Sequence, residues 1–224
     1  ELGEYFRHNV QGVRMYMNLI KNGEGYNLTL QVLDAVLCHN GEMVNGEYHP
    51  VKKTKEEFLE LYNSSYTDKD ISKKLVPMTL EGCVVRISDI IAYIGRDIED
   101  AIMLGVLDRE QIPEHIKNVL GDRNYKIIQT ITFDIVNNSY GKPYIKMSDE
   151  IYKALVDLKK FNYESIYSKA NSNEQIEYYT RGFNLLFDAY LNDIKTNNRD
   201  SDIYIDFLNT MNDKYLNETN PKRM

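Results

Sequence analysis

The stretch Leu80-Glu81-Gly82-Cys83-Val84-Val85-Arg86-Ile87-Ser88-Asp89-Ile90-Ile91-Ala92-Tyr93-Ile94-Gly95-Arg96-Asp97-Ile98-Glu99-Asp100-Ala101 decides how this chain is read. At about 100° per residue its apolar side chains gather on one face. Ile87, Ile90, Ile91, Ile94, Ile98, Ala101 and Ile102 make a broad apolar band. Asp89, Tyr93, Arg96, Asp97 and Asp100 fall opposite, in a narrow stripe. The pattern predicts the longest helix of the chain, capped by Thr79 and stopped near Leu104 by Gly105. Asp89, Tyr93 and Asp97 succeed one another at i, i+4 and i+8, so their side chains line up. A charged stripe is by default a solvated face, with Arg96 paired to a neighbouring acid. The phenol in its middle is the departure from that default.

Outward from this helix the same periodicity continues, and period-two alternation is scarce. Helices are predicted over 5–20, 29–40, 55–62, 68–75, 109–119, 123–138, 148–161, 173–195 and 200–217. Asn22-Gly23-Glu24-Gly25 and Asn40-Gly41 are the stops of the first two. Residues 41–54 read as a loop, and its Lys52-Lys53 pair is open to phosphate contacts but reads first as merely solvated. Ser148-Asp149-Glu150 reads as a helix start with acids in the first turn. The fold class expected is all-α. A seam is placed at 138–146, dividing a core at 1–140 from a carboxy-terminal helical region at 141–224.

The balance of 27 Lys+Arg against 34 Asp+Glu leaves a net charge of −7, which disfavours generic nucleic-acid binding. A small anionic substrate remains compatible, because a bound cation can dominate a local field. Cys38 and Cys83 stand in separate segments, which excludes a zinc knuckle and points to buried thiols in a reducing cytoplasm. No apolar run approaches the roughly 20 residues of a membrane span, so no membrane is expected.

Several segments together carry a resemblance. The quoted stretch looks like the signature helix of HD-domain deoxynucleoside triphosphate triphosphohydrolases, the dGTPase-like family. Phe6-Arg7-His8-Asn9-Val10-Gln11-Gly12 is similar to that family's histidine helix. Gly25-Tyr26-Asn27-Leu28-Thr29, with Leu33-Asp34-Ala35-Val36-Leu37-Cys38-His39-Asn40-Gly41-Glu42, resembles the helix after it. Met147-Ser148 through Leu158-Lys159-Lys160-Phe161 to Ile166-Tyr167 fits further on. Each motif is weak alone, and their order over residues 5–168 makes the set specific.

The resemblance implies an HD-type helical bundle with additional carboxy-terminal helices, and it implies roles. Asp89 matches the last ligand of a divalent cation, Mg²⁺ or Mn²⁺ by preference, with other transition metals open. Tyr93 and Asp97 match residues that bind a deoxyribose 3′-hydroxyl. His8 matches a histidine near the scissile phosphate, able to donate a proton to the leaving oxygen or stabilise charge there. Tyr167 matches a wall of the base pocket, and Lys159 lies about two turns earlier on the approach. His39 receives no role, and neither do His49 and His115. Taken without the resemblance, His8 beside Asn9 reads as a helix-start residue, and Tyr167 as one of 18 tyrosines.

One departure is large. None of the four histidines is followed by Asp, so the family's metal-binding His–Asp dyad and its earlier His are absent from this chain. The expectation is that the segment carrying them lies amino-terminal to Glu1, and that this stretch alone is inactive, since one carboxylate leaves most of a cation's coordination to water. Ile90 also stands where some relatives place a phosphate-binding Lys. The activity expected is metal-dependent hydrolysis of deoxynucleoside triphosphates to deoxynucleoside and inorganic triphosphate. Its rivals are an HD phosphohydrolase of another nucleotide and a non-catalytic nucleotide-binding or assembly module. The partners expected are deoxynucleoside triphosphates, the missing amino-terminal segment and further copies of the chain. Helices 173–217, rich in Tyr and Leu, are the candidate surface for those copies.

Overall fold

Helices account for most of the structure because the apolar periodicity is helical nearly throughout. A computed structural model describes residues 3–40, 46–168, 172–221 and 224. In chain order its elements are α1 (His8–Arg14), α2 (Leu30–Cys38), β1 (Glu47–Tyr48), α3 (Lys55–Ser64), α4 (Leu80–Met103), α5 (Glu114–Leu120), α6 (Asn124–Ser139), β2 (Ile145–Lys146), α7 (Asp149–Asn162), α8 (Asn173–Thr196) and α9 (Asp213–Glu218). The expected all-α class is observed. The short antiparallel ladder of β1 and β2, with Glu47 opposite Lys146 and Tyr48 opposite Ile145, is an addition that periodicity did not announce.

The chain divides into two units, one of Glu1–Leu28 with Asn171–Met224 and the other of Thr29–Ala170. The 138–146 segment lies inside the second of these, where β2 answers β1.

In the 29–170 unit, α4 is the axis. Its Thr79 cap accepts from the Gly82 amide at 3.1 Å. Its end is closed by two bonds, Val106 N–H to Ala101 C=O at 2.9 Å and Gly105 N–H to Ile102 C=O at 3.0 Å. Gly105 sits at φ 69°, a conformation the residue past a helix end adopts at little cost only as glycine. The predicted apolar band is the buried face: Ile87, Ile91, Ile94, Ile98 and Ala101 join Ile116 and Leu120 of α5, Ile127 and Ile131 of α6, and Leu155 and Leu158 of α7 in one core. Ile90 and Ile102 are half-buried at its margin.

Gly95 lets α6 approach closely: a Cβ there would come within 2.6 Å of the Asn124 side chain and 3.2 Å of its Cα. Glu99 then fixes the angle. It receives Arg109 in a two-pronged bond, at 2.6 and 3.2 Å, and the Asn124 amide at 3.2 Å. The Arg109 guanidinium holds the Glu99 carboxyl below its usual range.

Several predicted helices are shorter than expected. Pro113 splits the 109–119 helix into a 3₁₀ turn, Arg109–Gln111, and α5, because proline has no amide to continue the ladder. Residues 68–75 keep only the turn Ile71–Lys73. In the other unit, α1 begins at His8 and runs into a wider turn, Met15–Leu19. The expected 200–217 helix breaks at Met211 and restarts under Asn212, whose side chain accepts from the Tyr215 amide at 2.8 Å. Tyr204, Leu208 and Tyr215 form this unit's own core, with Leu19, Ile194 and Phe207 against it. Gly23 and Gly25 are required there: a Cβ on Gly23 would meet Tyr215 at 2.8 Å, and one on Gly25 would meet the Met17 carbonyl oxygen at 2.1 Å.

Candidate functional site

Asp89, Tyr93 and Asp97 stand on the face of α4 opposite the core, one turn apart, as their spacing requires. Asp89 and Asp97 are half-buried, and Tyr93 is 63% exposed. Arg96 and Asp100 in the same stripe pair with each other at 3.0 Å, the ordinary i, i+4 surface arrangement. They are therefore accounted for as surface, and Asp89, Tyr93 and Asp97 are left as the candidate site residues of the stripe.

Tyr167 reaches this stripe from α7. The buried Asn162 side chain donates to the Ile94 carbonyl oxygen at 2.8 Å, which locks the end of α7 onto α4. The chain then passes through a wider turn, Tyr163–Tyr167, rather than stopping. That turn delivers the Tyr167 hydroxyl to Oδ2 of Asp97, to which it donates a hydrogen bond. Burial, and then the neighbouring Asp97, push the Tyr167 phenol up to about 12, so it remains a donor at any neutral pH. The other Asp97 oxygen is left as an acceptor for a ligand hydroxyl.

Two of the expected site residues are thus brought into contact, and three share a helix face. Lys159 is exposed in the last turn of α7. His8 belongs to the other unit, where it opens α1 as an exposed residue. His39 ends α2 with Nδ1 2.7 Å from the Val36 carbonyl oxygen, a helix-end contact. The His39–Glu42 run of the resemblance extends at Gly41 and Glu42 beyond the described residues.

Asp89 is chemically apt for a hard cation, and by itself it is insufficient. Among the described residues no group of three or more His, Cys, Asp or Glu side chains is placed to hold a metal ion.

The sequence reading missed a second polar feature. Lys53, expected to be solvated, has a side chain only 6% exposed, with Nζ 2.6 Å from the fully buried Asp34 carboxylate. Lys53 also donates to the Val76 carbonyl oxygen, and the Met78 amide donates to Asp34 at 2.7 Å. Arg86 nearby donates to the Leu75 carbonyl oxygen. The pair therefore stitches the extended 75–78 segment, just before α4, to α2. Burial pushes the Cys38 thiol beside it up to about 12 and Cys83 up to about 11, and both remain free, buried thiols. The overlooked signal was a lone acid, Asp34, on the apolar face of α2, which demands a buried partner.

Comparison with known proteins adds an independent line. A protein of Caldanaerobacter subterraneus subsp. tengcongensis named deoxyguanosinetriphosphate triphosphohydrolase-like protein is 38% identical over 172 residues, covering 76% of this chain and 41% of its own length. One so named from Desulfatibacillum aliphaticivorans is 32% identical over 84% of the chain and 48% of itself. A third, from Clostridium tetani, is 29% identical over 94% of the chain and 57% of itself. The chain belongs to the dGTPase-like triphosphohydrolase family.

It spans about half the length of these dGTPase-like relatives. No family model matches the chain, and no solved structure matches it. No helix among the described residues is long and apolar enough to cross a membrane.

Proposed function

We propose that this dGTPase-like chain contributes the sugar-reading wall of a site that hydrolyses deoxynucleoside triphosphates to deoxynucleoside and inorganic triphosphate. The carrying observation is the Tyr167–Asp97 hydrogen bond on a stripe shared with Tyr93 and Asp89. A carboxylate already held by one phenol donor, beside a second phenol, suits a ligand hydroxyl that both gives and takes a hydrogen bond. In this reading Asp97 accepts from the 3′-hydroxyl, Tyr93 supports the same oxygen, and Tyr167 holds Asp97 while its ring walls the base. Lys159 meets negative charge on the approach. On the resemblance alone, His8 is assigned to protonate the leaving 5′-oxygen.

The balanced reaction cleaves the bond between the α-phosphorus and the 5′-oxygen. Water supplies the new oxygen on phosphorus, and a proton ends on the deoxynucleoside. Dependence on a divalent cation, with Asp89 as one ligand, is part of the proposal. The described residues place no cluster of three such ligands together, so the remaining donors must come from elsewhere.

The test is incubation of the complete gene product with each of the four deoxynucleoside triphosphates and Mg²⁺ or Mn²⁺, with products separated by ion-exchange chromatography. Triphosphate with deoxynucleoside is the expected outcome. Monophosphate with pyrophosphate overturns the proposal.

A further inference from the structure

Asn162, the last residue of α7, is only 1% exposed. Its Nδ2 reaches across to α4 and donates to the Ile94 carbonyl oxygen at 2.8 Å. Its Oδ1 is equally buried and has no hydrogen-bond partner among the described residues. As a stabilising device this is poor. The Ile94 carbonyl lies inside α4, where the helical ladder already uses it once. The orphaned oxygen meanwhile carries the full penalty of leaving water. A leucine has nearly the same shape, no such penalty and suitable neighbours, since Leu158, Phe161 and Ile166 all pack into the same apolar core.

What the amide supplies is direction, because a hydrogen bond fixes rotation and register in a way that apolar contact does not. Immediately after Asn162 the backbone leaves the α-helical ladder for the wider turn Tyr163–Tyr167. Such a turn inserts one residue, so whatever follows is rotated by about 100° from where an unbroken helix would carry it. Tyr167 needs that rotation to bring its hydroxyl to Oδ2 of Asp97. Wide turns are rare, and this one is held at both ends. The Asn162–Ile94 bond fixes its start and the Tyr167–Asp97 bond its finish, on neighbouring turns of α4.

We propose that Asn162 is a positioning residue: its bond to α4 sets the turn that places the Tyr167 hydroxyl on Asp97, and so holds Asp97 for a ligand hydroxyl. The buried amide trades stability for aim. Its consequence for turnover rests on the sugar-reading role proposed above, whereas its control of Tyr167 stands on the geometry of α4 and α7 alone.

The test uses the complete gene product with 3-fluorotyrosine installed at position 167, its ¹⁹F resonance followed against pH, in wild type and in Asn162→Leu. In wild type the ring should titrate above the range of free 3-fluorotyrosine, because burial and then Asp97 oppose its anion. In Asn162→Leu it should fall back into that range while the melting temperature holds or rises. Asn162→Ser, too short to reach Ile94, takes its place if the leucine variant does not fold. On unlabelled protein, Asn162→Leu should lower kcat/KM for a deoxynucleoside triphosphate by about tenfold. In a Tyr167→Phe background it should lower it no further, since both changes act through one bond. A ring that titrates alike in wild type and variant overturns the proposal, and so does a kinetic loss that adds in full to that of Tyr167→Phe. A titration that depends on Asn162, in a wild type indifferent to the 3′-hydroxyl, upholds the positioning and sinks the sugar-reading role instead.

Discussion

Two side-chain pairings in the 29–170 unit carry opposite lessons. The Tyr167–Asp97 bond lies near the surface, and in the proposed function its value is to hold Asp97 for a ligand. Tyr167→Phe should lower kcat/KM for a deoxynucleoside triphosphate by about tenfold, the worth of one hydrogen bond to a charged group at ~1.5 kcal/mol, while leaving the melting temperature nearly unchanged. Steady-state kinetics and thermal unfolding on the same preparation check both halves. The Lys53–Asp34 pair is buried and its value is structural. Lys53→Met should cost about 3–5 kcal/mol, because it strands a carboxylate in the interior. Urea unfolding should show it as a lower midpoint with an unchanged slope. The resemblance named both residues of the first pairing in separate roles, and their hydrogen bond to each other came only from the fold. The second pairing was not legible, since Lys53, next to Lys52 in a loop, looks solvated until the fold turns it inward.

Helix α4 shows how much a single element could reveal. Its cap, its stop, its buried band and its polar stripe all follow from local rules acting on contiguous residues. The two-strand ladder and the broken 200–217 segment do not, because they depend on partners far away in sequence. The wider turn at Tyr163–Tyr167 is similarly invisible to a periodicity of 3.6, and it is what aims Tyr167. Gly95 is the point where α4 is most vulnerable. Alanine gains about 1 kcal/mol of helix propensity and meets Asn124, at a cost of about 1–3 kcal/mol for overpacking. Gly95→Ala should therefore be neutral to destabilising by about 2 kcal/mol despite its helix preference, measured by chemical unfolding. Clear stabilisation would mean α6 yields freely.

On the scale of the whole molecule, the sequence made the family and the helical class legible, and the relatives named dGTPase-like agree. A metal site was not legible, because its expected dyad is absent from these 224 residues. The described residues assemble no substitute cluster. The 224-residue chain by itself should accordingly show no turnover of any deoxynucleoside triphosphate with Mg²⁺ or Mn²⁺, as followed by triphosphate release. Turnover by the chain alone would show that its own residues suffice for catalysis. The proposed function rests on the α4 stripe reading a 3′-hydroxyl. Its most direct test compares kcat/KM of the complete gene product for a deoxynucleoside triphosphate and its 2′,3′-dideoxy counterpart, in wild type and in Asp97→Asn. The asparagine keeps an acceptor for Tyr167 and removes the charge. Wild type should favour the 3′-hydroxyl by about 10- to 100-fold, and the variant should bring that ratio close to one. A variant that discriminates as well as wild type would contradict the account.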